Sequence, residues 1–273
     1  MADGSHSAVA YSRHGRHPGM LSTVFASPEA SHAHSRQTLE TFYEFDDFME
    51  SIGTLADMGC GTGLDLEWWA TRTTRDETPR PLNIRCTGID LSASLPMAHR
   101  HKNITYQPQD FEQPIIIHKR RYDMIWCHDA FQYVIDPFRT LRQWRDAIAD
   151  SGMLVLILPQ TTNMEFNSQA FDQRDGCYWH WTMTNLIHVL AVSGWDCAGG
   201  FFHKNPEDPW LHAAVYKGIQ APMDPRTTRW YDLADQGLLP ESAAASVRRH
   251  GYLRQRDLVL PWLDRSLQSF AKH

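Results

Sequence analysis

Apolar and polar positions alternate with two different periods along the middle of the chain. Short segments at 55–58, 84–90, 103–107, 122–127 and 153–158 are predicted as strands, and the uninterrupted apolar run at 153–158 is typical of a strand covered on both faces. Between them, apolar residues recur every three or four positions, which predicts helices over 64–71, 92–101, 137–150 and 182–192. Two later strands, 195–202 and 212–216, are joined by a short turn-rich segment. The pattern predicts an α/β fold: a doubly wound, mostly parallel seven-stranded sheet with a terminal antiparallel hairpin strand.

Both ends of the chain fall outside this alternation. Residues 1–34 are polar and rich in His, Ser and Gly, and they predict a mobile N-terminal arm. A helical pattern over 35–52 then leads into the first strand, so the main domain is placed at 35–218. Residues 219–273 predict a C-terminal helical extension, with helices near 241–250 and 257–270.

Composition narrows the functional class. The 273 residues carry a formal net charge of −6, which argues against a broad nucleic-acid surface. The five cysteines are odd in number and scattered without a C-x-x-C pair, so neither a disulfide framework nor a metal site is expected. No apolar run reaches membrane-spanning length and the N-terminus lacks an apolar leader. These features predict a cytoplasmic protein without membrane association.

The most informative local pattern follows the first predicted strand. It reads Asp57-Met58-Gly59-Cys60-Gly61-Thr62-Gly63, with glycine at three alternate positions. Glycine allows a tight turn and lets a ligand approach the backbone closely. A dinucleotide-binding turn needs glycine at position 64, which is Leu64 here. The spacing therefore disfavours a nicotinamide oxidoreductase.

Acidic residues follow the next two strands. Asp90 and Leu91 end the second strand, and Asp110 and Phe111 follow the third. Because parallel strands present their carboxyl ends at one edge of a sheet, we expect these residues to lie near the glycine turn.

The D-x-G-x-G-x-G pattern resembles the cofactor loop of class I methyltransferases that use S-adenosylmethionine. The segment from Tyr122 to Pro137 is similar to that family's fourth-strand region, and the resemblance covers about 35–218. It implies S-adenosylmethionine as cofactor, with Asp57 orienting its amino end and Asp90 receiving the ribose. It further implies that Asp110 faces the adenine and Phe111 packs on the ring. The implied cofactor-binding set is Asp57, Gly59, Cys60, Gly61, Gly63, Asp90, Leu91, Asp110, Phe111 and His128, with Gly59 and Gly61 giving backbone access.

Methyl transfer to a hydroxyl or a protonated amine benefits from a base, and His is suited to that role near neutral pH. His128 lies at the exit of the fourth strand and is the candidate catalytic residue. The alternative is that His128 only packs or contacts the cofactor. His180, His203 and Asp129 are the other candidate bases.

The acceptor is predicted by elimination. The chain lacks the [D/N/S]-P-P-[Y/F] motif of amino-methylating nucleic-acid enzymes, and no proline precedes a cysteine as in cytosine-C5 enzymes. A small-molecule acceptor is therefore expected, with nucleic acid unlikely. The alternatives are a catalytically silent binding or assembly subunit, and a methyltransferase acting on RNA or protein. The C-terminal extension is a candidate surface for a protein partner or self-association.

Overall fold

A computed structural model describes residues 28–91, 101–115, 121–160, 178–204 and 210–263. Within these ranges the strands are β1 (Thr54–Met58), β2 (Arg85–Asp90), β3 (Ile104–Pro108), β4 (Tyr122–His128), β5 (Ile148–Pro159), β6 (Trp195–Lys204) and β7 (Trp210–Lys217). The α-helices are α1 (Pro28–Tyr43), α2 (Asp46–Ser51), α3 (Leu64–Ala70), α4 (Pro137–Ala147), α5 (Met183–Val192), α6 (Trp230–Asp235) and α7 (Glu241–His250).

The seven strands form one sheet in the order β3-β2-β1-β4-β5-β7-β6. The pairs from β3 to β5 are parallel, and β7 runs antiparallel to both of its neighbours. This confirms the predicted fold class. The strand order reverses between β1 and β4, which is where sheets of this kind bind ligands.

Alternate strand residues point to opposite faces of the sheet. We call one side the α4 face, where Ile125, Cys127, Leu154 and Leu156 pack against α4, α5, α6 and α7. The other is the α1 face, where Met124, Trp126, Val155 and Ile157 pack against α1, α2 and α3. The core is thus two apolar layers separated by the sheet.

The N-terminal helical region differs from the prediction. The expected single helix over 35–52 is two helices, α1 and α2, with Glu44 and Phe45 between them. Helix α1 begins at Pro28, inside the segment that the sequence assigned to the arm. Residues 1–27 lie outside the described part of the chain, and the domain boundaries remain predictions.

The junction between α4 and β5 also differs. The sequence placed the helix end at Ser151 and Gly152, but α4 ends at Ala147 and β5 begins at Ile148. Strand β5 pairs with β4 on both sides of a register shift between Tyr122 and Met124. A β-bulge of this kind accommodates turn-forming residues within a strand, so their composition misplaced the boundary. The predicted helix over 92–101 and the 205–209 hairpin turn fall largely or wholly outside the described residues.

The C-terminal extension is part of the core rather than an appendage. Helix α7 matches the prediction, and the short α6, which was not predicted, buries Leu233 and Ala234 in the α4 face. The helix predicted over 257–270 is wrong for its described part. Residues 255–257 form a 3-10 turn, after which no helix continues as far as Leu263. Pro261 lacks the N–H that a helix interior requires.

After α7 the chain crosses the edge of the sheet. Leu258 and Leu260 pack on the α4 face, whereas Trp262 and Leu263 pack on the α1 face. At the crossing point, the backbone N–H of Phe202 in β6 donates to the carbonyl of Pro261 at 2.8 Å. The tail, residues 253–263, therefore contributes side chains to both layers. Within the described ranges, no helix is long and apolar enough to cross a membrane.

Candidate active site

The glycine turn joins β1 to α3. Gly59, Gly61 and Gly63 have φ values of +77°, +50° and +80°, in the left-handed region that favours glycine. Their N–H groups are used within the protein: Gly59 donates to Ile89 O at 2.7 Å and Gly63 to Cys60 O at 2.8 Å. Gly61 donates to Asp90 Oδ2 at 3.0 Å. The turn therefore lets a ligand approach its backbone closely, while the N–H groups of these three glycines are already bonded within the protein.

Two of these glycines face different surroundings. A Cβ on Gly59 would collide with the Cβ of Ala130 in the loop after β4, and would lie 3.4 Å from the Phe111 ring. A Cβ on Gly61 would meet no atom within 4 Å. Gly59 thus permits packing between two loops, whereas Gly61 borders open space at the strand ends. That space is the cradle in which a ligand would contact the turn.

Asp57 is a buried carboxylate directly before the turn, with 3% of its surface exposed. Burial raises its pKa well above the ordinary 3.8, and the charges of Asp65 and Asp90 raise it further. An ionised carboxylate at this depth is stabilised by a cationic partner. Asp57 therefore suits a positively charged ligand group in the adjoining space.

Asp90 and Cys60 flank the same turn. The Asp90 carboxylate holds Gly61, while its carbonyl accepts from the Tyr106 hydroxyl at 3.1 Å. Burial raises the pKa of the Cys60 thiol, and Asp57 and Asp90 raise it further, so the thiol stays protonated. Leu91 is 64% exposed.

The segment after β3 reaches the turn through Phe111. Asp110 Oδ1 accepts from the Glu112 N–H at 2.9 Å, so this carboxylate shapes its own loop. The Phe111 carbonyl accepts from Trp144 Nε1 at 3.0 Å, which fixes the ring beside Gly59. Sequence reasoning missed Glu112, which is buried and accepts from the Ile135 N–H at 2.9 Å. No local signal pointed to it, because Glu112 stands in the mostly polar run Gln109-Asp110-Phe111-Glu112-Gln113.

The loop after β4 begins with strained backbone. Asp129 has φ +51°, which is uncommon for a residue other than glycine. Its Oδ1 accepts from Gln132 Nε2 at 2.7 Å, and its N–H donates to Ile157 O at 2.9 Å. This conformation turns Ala130 back over Gly59. Asp129 is therefore engaged in holding the loop.

His128 contacts a carboxylate that sequence reasoning also missed. Its Nδ1 lies 3.2 Å from Asp65 Oδ2, and both side chains are 9% exposed. The same Asp65 oxygen accepts from Trp126 Nε1 at 2.9 Å, and Oδ1 accepts from Ser35 Oγ at 2.7 Å. The available signal was an acidic residue on the buried face of α3, beside Leu66 and Trp69.

A row of side chains continues from His128 across the sheet. His128 is paired with Ile157, Ile157 with His212, and His212 with His203. His212 Nδ1 lies 2.8 Å from Thr38 Oγ1 of α1, and its ring lies 5.6 Å from Trp262. The α1 face therefore carries a polar layer at its strand ends, held by α1.

The other candidate base, His180, precedes α5. Its carbonyl accepts from Asn185 Nδ2 at 3.0 Å, within the N-terminal cap of that helix. The neighbouring Trp181 is fully buried and stacks on Phe131 at 5.2 Å between centroids. Trp181 is thus a core residue of the α4 face. Among the residues described, no group of three or more His, Cys, Asp or Glu side chains is arranged for a metal ion.

Comparison with known proteins gives a family and a fold. Residues 56–154 match the family model of a methyltransferase domain, and no curated protein matches the sequence. A protein from Galdieria sulphuraria, assigned as a sarcosine dimethylglycine methyltransferase, aligns with TM-score 0.52 at 12% identity, covering 68% of this chain and 86% of its own. An O-methyltransferase family protein from Burkholderia thailandensis aligns with TM-score 0.50 at 10% identity, covering 70% of this chain and 58% of its own.

A third solved structure is a 1,6-didemethyltoxoflavin-N1-methyltransferase from Burkholderia thailandensis with bound 1,6-didemethyltoxoflavin and S-adenosylhomocysteine. It aligns with TM-score 0.45 at 13% identity, covering 72% of this chain and 93% of its own. Identities this low speak for the fold and not for a substrate. The family match covers the glycine turn, Asp90, Asp110 and His128. The match to a methyltransferase-domain model over 56–154, together with the fold, supports a methyltransferase domain in this chain, with S-adenosylmethionine as its cofactor.

Proposed function

We propose that this protein transfers a methyl group from S-adenosylmethionine to a small-molecule acceptor. The observation that carries the proposal is the glycine turn, where a Cβ on Gly61 would meet no atom within 4 Å and where Asp90 accepts from the Gly61 N–H at 3.0 Å. When bound, the cofactor supplies a methyl group activated by the positive charge on sulfur. The protein must then align the acceptor with that methyl group and remove a proton from it.

Each residue around the space has a role that follows from its chemistry. Asp57 receives the ammonium group of the cofactor, which compensates the buried carboxylate charge. Asp90 receives ribose hydroxyls, while Phe111 packs beside the adenine. Asp110 keeps one carboxylate oxygen on its own loop, so its second oxygen is the one proposed to face the adenine amino group. His128 accepts the acceptor's proton.

The small-molecule class is supported by charge and motif. The net charge of −6 is unfavourable for a phosphate backbone, and the motif of amino-methylating nucleic-acid enzymes is missing after β4. Much of the C-terminal extension's apolar surface is also committed to the core, including Leu233, Leu239 and Val247. Because these side chains are buried in the core, their apolar surface is not exposed for contact with a protein partner.

Calorimetry with S-adenosylhomocysteine tests cofactor binding, and Gly61→Val is the variant of choice. A valine there fills the open space and strains the backbone, so affinity should fall at least 100-fold. Gly237→Val is the matched control, because Gly237 has φ +67° and also meets no atom within 4 Å of its Cβ position. Equal losses in both variants, or no binding by the wild type, would contradict the proposal.

The acceptor class needs a separate measurement. Methyl transfer from labelled cofactor should be followed over panels of phenols, carboxylates and amines, with RNA and whole protein as further arms. Turnover on a small molecule supports the proposal. Salt-dependent RNA binding with RNA methylation, or methylation of protein, would replace it with the corresponding alternative. Cofactor binding without turnover in any arm would favour a catalytically silent subunit.

A further inference from the structure

Asp65 lies in the first turn of α3, next to His128. It is buried, with 7% of its surface exposed, and its two oxygens meet three side chains from two elements, α1 and β4. Oδ1 accepts from Ser35 of α1 at 2.7 Å, and Oδ2 accepts from Trp126 Nε1 at 2.9 Å. Oδ2 also lies 3.2 Å from His128 Nδ1. A carboxylate held in this way has little freedom to move relative to the histidine ring.

The chemistry of these contacts decides where the His128 proton resides. An ionised carboxylate only accepts hydrogen bonds, so the Nδ1 atom facing it must carry a proton. A neutral imidazole carries one N–H, and its second nitrogen is then an acceptor. The partner of one ring nitrogen therefore determines the state of the other. In His128, protonation of Nδ1 makes Nε2 the basic atom.

We propose that Asp65 is a positioning residue that holds His128 in its Nδ1–H form and so presents Nε2 as the proton acceptor in methyl transfer. This inference rests on the proposed function. As the acceptor's lone pair bonds to the methyl carbon, the carbon–sulfur bond breaks with its electrons on sulfur. The acceptor's proton moves to Nε2, and the resulting imidazolium is stabilised by the Asp65 carboxylate.

The other described neighbours of His128 are an aromatic ring, an apolar strand residue and a carboxylate that accepts from another side chain. The Trp210 ring lies 5.5 Å away between centroids and supplies an apolar wall. Across the sheet, Ile157 separates His128 from His212. Asp129, the next residue along the chain, accepts from Gln132. Asp57 is a second acidic neighbour of Asp65, since the charge of Asp65 contributes to raising the pKa of Asp57.

A purely structural role for Asp65 is the competing explanation, because Ser35 ties α1 to the same carboxylate. Ring nitrogen NMR of protein labelled with ¹⁵N-histidine separates the two, and His128→Gln assigns the His128 signals. The wild type should show Nδ1 protonated and Nε2 unprotonated in the neutral form of His128. Asp65→Ala should shift the ring towards the Nε2–H form that histidine favours in water. Ser35→Ala, which leaves the Oδ2 contact in place, should retain the wild-type pattern.

Asp65→Asn refines the test. Its amide group can face the Ser35 hydroxyl and its oxygen can face Trp126 and His128, so the tautomer should be retained without the charge. Asp65→Ala should lower kcat by about 100-fold, the lower end of what a general base contributes. The double variant with His128→Ala should lose no more than His128→Ala alone.

Three results would overturn the proposal. These are an Nε2–H tautomer in the wild type, an unchanged tautomer in Asp65→Ala, and equal kcat losses in Ser35→Ala and Asp65→Ala. The wild-type spectrum needs no variant, so it decides the point even where Asp65→Ala does not fold. It also needs no acceptor. Failure of cofactor binding, by contrast, would count against the proposed function and leave the tautomer result standing.

Discussion

The two faces of the sheet bury different kinds of side chain. On the α4 face, strand residues such as Leu154 and Leu156 meet apolar helix residues such as Leu186 and Leu190. The α1 face is equally apolar at its centre. At its strand ends, however, it buries two sets of contacting polar side chains, Ser35–Asp65–His128 and Thr38–His212, together with Asp57.

Burying polar groups costs free energy unless each finds a partner. The α4 face has one buried hydroxyl bonded locally, since Thr140 donates to the Asp136 carbonyl four residues away, and its Trp144 Nε1 donates to the carbonyl of Phe111 in a loop. The α1 face uses bonds between distant elements, from α1 to α3 and from α1 to β7. The comparison indicates that polar contacts between α1, α3 and the strands gather at the strand ends of the α1 face, where the proposed base His128 lies.

The largest expected effect comes from emptying one core layer at a time. Leu190→Ala on the α4 face and Leu39→Ala on the α1 face each remove a fully buried side chain, at a cost of about 2–5 kcal/mol in unfolding free energy. Urea unfolding should show similar losses. Only Leu39→Ala should shift the ring NMR signals of His128 and His212, because Leu39 packs α1 into the core layer on the α1 face. Equal shifts in both variants would remove the distinction between the faces.

A smaller effect separates distant from local polar bonds. Thr38→Val removes the hydroxyl that meets His212 Nδ1 and should cost about 1–3 kcal/mol, the range for a disrupted buried pair. Thr140→Val is the matched control on the α4 face and should cost only about 0.5–1 kcal/mol. Its Asp136 carbonyl still accepts from the Thr140 N–H at 3.0 Å. Thermal and urea unfolding measure the two costs, and the reverse order would contradict the comparison.

The smallest effect concerns the pH dependence of the unliganded protein. Burial, followed by Asp65 and Asp90, raises the pKa of Asp57 above 3.8 in the folded state. Above pH 3.8 the unfolded chain therefore releases this proton before the folded protein does, and stability falls until the folded pKa is passed. Asp57→Asn removes that fall, so it should be more stable than wild type at neutral pH.

The same variant should bind S-adenosylhomocysteine more weakly, because the carboxylate that receives the ammonium group is gone. Unfolding curves from pH 4 to pH 8 follow the first expectation, and calorimetry follows the second. A variant that is less stable than wild type at neutral pH would show that the Asp57 charge is already compensated without cofactor.

Local sequence pattern was sufficient for the elements that depend on neighbours in the chain. The apolar runs located all seven strands, and the alternate glycines located the turn at β1, because both signals lie within a few consecutive residues. Boundaries failed where tertiary structure overrides composition. Ser151 and Gly152 signal a turn but lie in a strand paired across a bulge, and Pro261 interrupts a helix that the apolar spacing favoured.

The site was only partly predictable for the same reason. His128 could be placed at a strand end, since that follows from the order of elements. Its partner could not, because Asp65 belongs to α3 and meets His128 only when α3 packs on the α1 face. The bond from Thr38 to His212 joins positions near opposite ends of the domain. Such pairings leave at most an indirect trace, namely a polar residue on a face that should be apolar.

The tail that crosses β6 has a consequence for how the protein behaves in crowded solution. β6 is the last strand of the sheet, and an exposed last strand can template pairing with another molecule. Here Pro261 accepts the Phe202 N–H, but proline has no N–H with which to continue a ladder. The tail therefore covers β6 at this point, and its Pro261 has no N–H to offer a further strand. Displacing the tail would leave the Phe202 N–H of β6 without this partner at the edge of the sheet.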